Sequence, residues 1–222
     1  MAETRPSRRA FERTCVHEAG HATASCFLQV PLRYASVESD FFHAGQVAHA
    51  RLTKQQQTRI ALAHDWYRDD LALRRLVEKR IVVCFAGDES ELAVLGSKPR
   101  RRRKKDPCNP AEVSDEEFAG LMAALEEKGV PPPDDEEQAR TLARLICETD
   151  DEAAALAEYL HQRTRNLVRD RFFQASVRAM ADELSRRPRI GARRVRELVS
   201  EARDAEVARI RAERLLEERR SE

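Results

Sequence analysis

The sequence predicts a mainly α-helical domain with a small β hairpin or edge-strand element and a long C-terminal helix. Two observations carry this. Of 222 residues, 36 % are charged, 41 % hydrophobic and only 5 % aromatic, with 7 glycines, the make-up of long charge-laced helices rather than of a β-sandwich. Apolar residues recur at helical spacing along most of the chain, and strand-like alternation is confined to two short stretches after Pro31.

Ser7 to Leu28 reads as the first helix, with Phe11, Cys15, Ala22 and Cys26 near helical spacing and Pro31 closing the segment. Gly20 inside it costs roughly 1 kcal/mol relative to alanine, which predicts close packing there. "YASVES" and, after a turn containing Gly45, "GQVAHARL" alternate over short runs, as a hairpin or two edge strands would. Thr53 to Gln56, "TKQQ", has the form of a capping box opening the next helix. Helical character continues, with a break near Asp69, through "LALRRLVEKRIVVCFAGDESELAVLG", whose middle, "IVVCFAG", is apolar nearly all round and belongs to the core.

From Ser97 the texture changes. "SKPRRRRKKDPCNP" is a basic run punctuated by prolines and reads as a solvated insertion, followed by a short helix from Ser114 to Gly129. "VPPPDDEE" turns the chain into the helix "DEEQARTLARLICE". Thr149 and Glu152 cap another that is expected to run to about Arg187, before Pro188 and Gly191 interrupt it. The tail from Ala192 to Arg220 carries Val195, Leu198, Val199, Ala202, Val207, Ile210 and Leu215 among charges, an amphipathic helix suited either to packing on the body or to a protein partner or self-association. The organisation is therefore residues 1–96 with the first helix, β element and core helices, 97–133 as an insertion, 134–187 as the helical remainder, and 188–222 as the C-terminal helix.

A net charge of +1 gives no global attraction to nucleic acid. The five cysteines form no CxxC pair, so reduced thiols are expected. The N-terminal residues hold no apolar signal core, and no apolar run reaches the about 18 residues of a membrane span. A soluble, cytoplasmic protein is the expectation.

The chemistry concentrates in "TCVHEAGHATASCFL", residues 14 to 28. On a helix, His17 and His21 lie one turn apart on one face, so two imidazoles can reach one ion at the about 2.0–2.1 Å of a Zn–N bond. Glu18 follows the first histidine and can serve a water on that ion as general base. The alternative is a helix with two hydrogen-bonded core histidines. The small and apolar flanks, Cys15, Val16, Ala19, Ala22, Ala24, Cys26 and Phe27, weigh against it, because burying these polar groups without a metal is costly. A zinc peptidase needs a third ligand. The extended HExxHxxGxxH form is excluded by Ala24 and Phe27, and Glu38 falls in strand-like sequence.

"HEAGHATASCFL" resembles the peptidase domain of the FtsH family of AAA proteases, over roughly residues 8 to 185. In that family an "AGxxAEE"-like helix and then a "(S/N)DxExA" segment follow. Here "FAGDESEL" (Phe85–Leu92) and "DDEEQAR" (Asp134–Arg140) stand in those places. The resemblance implies a zinc metallopeptidase with Glu18 as catalytic base and His17, His21 and Asp135 as zinc ligands, Asp134 and then Glu91 being competing choices for the third. The sequence departs from the family in the 97–133 insertion and in "DES" where small residues are usual, and it carries no GxxxxGK[ST] loop or membrane span. Cleavage that is ATP-independent, acting on flexible peptides or unfolded protein, is what such a domain implies.

The rival readings are an inactive zinc-binding relative and a helical nucleic-acid- or protein-binding module using Lys98–Lys105 and the tail. The basic run has no interleaved aromatics for base stacking; it could instead pair with "DDEE" as a lid. His43 and His49 lie near enough to the motif to be candidate substrate contacts.

Overall fold

Helix α1 (Arg8–Phe27) starts where the Ser7 hydroxyl accepts the Ala10 N–H at 3.2 Å. It stops through a paired closure: Val30 N–H donates to Ser25 C=O and Gln29 N–H to Cys26 C=O, with Gln29 in the left-handed region at φ 57. The computed structural model describes residues 7–38, 45–49, 71–96 and 134–221. The Thr53–Gln56 capping box, the 97–133 insertion with its basic run, and His43 lie outside these residues.

Strand β1 (Leu32–Ser36) is the centre of an antiparallel sheet in the order β2–β1–β3, with β2 at Gln46–His49 and β3 at Arg189–Gly191. Ala35 faces Val47 on one side and Ile190 on the other. The hairpin expectation therefore stands for β1 and β2, but the break expected at Pro188 and Gly191 is also a strand. Val37 N–H reaches Pro188 C=O at 2.7 Å, extending that pairing.

Helix α2 (Leu71–Leu95) ends at Gly96, whose φ of 64 only glycine adopts freely. Its stretch from Ile81 to Gly87 is buried throughout, as the apolar run predicted. Helix α3 (Asp135–Arg144) follows, then α4 (Asp150–Val168), capped by Thr149, whose Oγ accepts the Glu152 N–H.

The single helix expected from Thr149 to about Arg187 is two. Asp170 Oδ1 accepts the N–H groups of Phe172 and Phe173 and starts helix α5 (Arg171–Arg186), which turns back onto α1. The turn lets Phe173, Val177, Met180 and Leu184 bury fully. Helix α6 (Ala192–Ser221) buries Val195, Leu198, Val199 and Ala202; residues 211–221 are exposed, including Leu215 and Leu216. Arg171 ties Glu206 and Glu213 of α6 to the start of α5.

Two apolar clusters share α2 as a wall. One joins α1, the sheet, α5 and α6, with Val83 and Ala86 of α2. The other joins the opposite face of α2, including Ile81, Val82 and Phe85, to α3 and α4. Between α1 and α2 the backbones approach closely because glycines face the contact: a Cβ on Gly20 would lie 2.5 Å from Ala86 C=O and from Ser90 Oγ. Among the described residues no helix is long and apolar enough to cross a membrane.

Candidate metal centre

Helical geometry brings His17 and His21 together, and α2 fixes which nitrogen each presents. His21 Nδ1 lies 2.7 Å from Val83 C=O, which can only accept, so this nitrogen carries the proton. His17 Nδ1 lies 3.0 Å from Glu91 Oε1 and donates to that carboxylate. The Nε2 atoms of both neutral rings are then left with lone pairs. They face each other at 2.9 Å.

Asp135, in the first turn of α3, completes the cluster. Its Oδ2 lies 3.0 Å from His17 Nε2 and 3.3 Å from His21 Nε2. Three lone-pair atoms thus converge with no hydrogen among them when the rings are neutral, an arrangement that could hold a cation. A tetrahedral site with bonds of about 2.0–2.2 Å separates its ligand atoms by about 3.3–3.6 Å, so these residues fit a zinc-sized ion once the ligand atoms part by about half an ångström.

The space for it comes from Gly87. A Cβ there would lie 2.5 Å from His21 Nε2 and 2.7 Å from His17 Nε2, crowding both nitrogens. The "AG" of "FAGDESEL" is therefore a spatial requirement of this centre.

The electrostatics of the cluster favour positive charge at the two rings. Burial opposes protonation of His17, yet Asp135, Asp88 and Glu91 raise its pKa well above the ordinary histidine value. Burial also opposes charge on His21, and Asp135 raises its pKa too. Burial likewise opposes ionisation of Asp135, but His21 and His17 hold it far below the usual carboxylate range.

The four carboxylates weighed for the third ligand, Glu38 among them though its strand-like sequence speaks against it, separate clearly by position. Asp134 is the N-cap of α3, its carboxylate accepting the Glu137 N–H at 2.9 Å, so it is turned to the helix end. Glu91 supports the far nitrogen of His17. Glu38 hydrogen-bonds with Ser36. Asp135 alone of these meets both Nε2 atoms. A second grouping, His17, Asp88 and Glu91, lies on the Nδ1 side.

Glu18 is buried on α1 beside the histidines, and its charge reaches His21. A Cβ on Gly45 would lie 2.7 Å from Glu18 Oε1, so the start of β2 runs against this carboxylate. No protein-family model and no curated protein matches the chain.

Three contributors were not evident from the motif. Gly87 gives room, Gly45 lets β2 approach Glu18, and Arg13 grips Glu91. Arg13 stands one helical turn before His17, a spacing that signals a shared face. His161 is a structural histidine: it bonds Glu89 at 2.7 Å and stacks on Phe85.

Proposed function

We propose that this protein is a zinc-dependent, ATP-independent metallopeptidase that hydrolyses peptide bonds in flexible or unfolded polypeptides. The observation that most supports the reading is the meeting of His17 Nε2, His21 Nε2 and Asp135 Oδ2 within 3.3 Å of one another, beside the buried carboxylate of Glu18. The resemblance of "HEAGHATASCFL" and "DDEEQAR" to FtsH-type peptidases points the same way.

His17, His21 and Asp135 would hold a zinc ion, which would polarise a carbonyl and lower the pKa of a bound water to about 7. Glu18 takes the proton from the attacking water and hands it to the departing amine nitrogen. His17 and His21 keep their protons on Nδ1, fixed by Glu91 and Val83, so neither ring competes as the base. The 222 residues include no phosphate-binding GxxxxGK[ST] loop, so unless a separate partner supplies unfolding the fitting substrates are flexible segments or unfolded chains.

The test compares wild type and Glu18→Gln on a fluorescently labelled unstructured polypeptide, with zinc content measured in parallel. Zinc content should hold while cleavage falls by about 10²–10⁴-fold, the usual share of a general base. Equal cleavage by the variant would remove Glu18 from the mechanism.

A further inference from the structure

The Nδ1 side of His17 holds a feature that the ligand set does not require. Arg13 Nε and Nη2 both bond Glu91 Oε2, at 2.9 and 2.6 Å, leaving Oε1 to accept the His17 Nδ1–H at 3.0 Å. The Glu91 side chain is 9 % exposed and that of Arg13 27 %, so water competes weakly for these bonds. Asp88 Oδ1 stands 3.4 Å from the same nitrogen. Without Arg13, Glu91 and Asp88 would crowd two like charges on one imidazole edge, and Glu91 would be free to rotate.

We infer that Arg13 is a positioning residue for the metal centre: it clamps Glu91 so that His17 is held in one tautomer, with its Nε2 lone pair aimed at the site. The guanidinium suits the task because its fixed fork can place two donors on one carboxylate oxygen. The chain from Arg13 through Glu91 to His17 joins α1 to α2 and back, so it also sets the rotation of α1 against α2 at the centre. This inference rests on the metal-centre reading of His17, His21 and Asp135.

The experiment measures zinc affinity by competition with a chromophoric chelator for wild type, Arg13→Met, Arg13→Lys, Glu91→Gln and the Arg13→Met/Glu91→Gln double variant, with His21→Ala as the ligand control. Removing the partner that orients a metal-binding histidine weakens affinity by about 10–100-fold, which is the loss expected for Arg13→Met. Arg13→Lys should recover part of it, since an ammonium keeps the charge but not the fork. If Arg13 acts through Glu91, the double variant is no worse than Glu91→Gln alone. Wild-type affinity in Arg13→Met, or losses that add in the double variant, would overturn the inference. Failure of the underlying reading looks different: wild type would not bind zinc, or His21→Ala would bind it as well.

Discussion

Gly87→Ala is the sharpest single perturbation, because two opposing effects predict opposite signs. On helix propensity alone, alanine should stabilise α2 by about 1 kcal/mol. The new methyl, however, would lie 2.5 Å from His21 Nε2 and 2.7 Å from His17 Nε2 and Cε1. Ordinary contact needs about 3.5 Å, so the rings must retreat by about 1 Å, whereas a metal site tolerates about 0.2 Å. Overpacking of this kind costs about 1–3 kcal/mol, which cancels or outweighs the helical gain. The larger effect is on binding. At a zinc concentration a hundredfold above the dissociation constant, the wild type gains about 2.7 kcal/mol, or about 5–10 °C in melting temperature for a chain of this size. Thermal denaturation with zinc and with a chelator should show that increment in the wild type and its loss in Gly87→Ala. Gly20→Ala crowds Ala86 C=O and Ser90 instead, and should lower stability while leaving the zinc increment largely in place. A wild-type zinc increment in Gly87→Ala would refute the claim that the ion sits against this glycine.

Other outcomes follow from the same geometry. Asp135→Ala should abolish tight zinc binding in a chelator competition, whereas Asp134→Ala should retain zinc and cost about 1 kcal/mol through the lost cap; the reverse pattern would exchange their roles. Gly45→Ala should keep the zinc but lower turnover of an unstructured polypeptide, because its methyl would meet Glu18 Oε1 at 2.7 Å; unchanged turnover would separate β2 from the base. In the chelated protein, His17 and His21 have pKa values raised by folding, so their contribution is full below about pH 6.5 and is lost as pH rises through the raised values. Asp135 acts oppositely and only in acid, its contribution vanishing as pH falls below about 3.9 toward its depressed folded value. Melting temperatures of the chelated protein should therefore fall from about pH 6.5 upward, and zinc should suppress that fall; a flat chelated profile would contradict the coupling.

Local signals made much of this legible in the sequence. Ser7 to Leu28, the apolar 81–87 stretch and the Thr149 cap each announced their element, because helix periodicity and capping are set by neighbours in the chain. Asp170, two residues before the Phe172–Phe173 pair, is also a readable start signal, but periodicity carries the expected helix across it. Strand β3 was not readable: three residues hold no period, and Arg189–Gly191 is a strand only because β1 offers it partners. At the site, spacing could pair His17 with His21 but could not choose among Asp134, Asp135 and Glu91. The choice depends on the register of α2 and α3 against α1, which puts Glu91 behind His17 and Asp135 in front. The capping form of Asp134 and Glu137 did carry a local clue, since a carboxylate capping a helix is already engaged.

The position to probe is the one where the two Nε2 atoms and Asp135 Oδ2 converge. Diffraction at the zinc absorption edge from zinc-loaded crystals measures this directly. An anomalous peak is expected about 2.0–2.2 Å from His17 Nε2, His21 Nε2 and an Asp135 oxygen, with Glu91 remaining on His17 Nδ1. No peak there, or a peak on the Nδ1 side between Asp88 and Glu91, would contradict it.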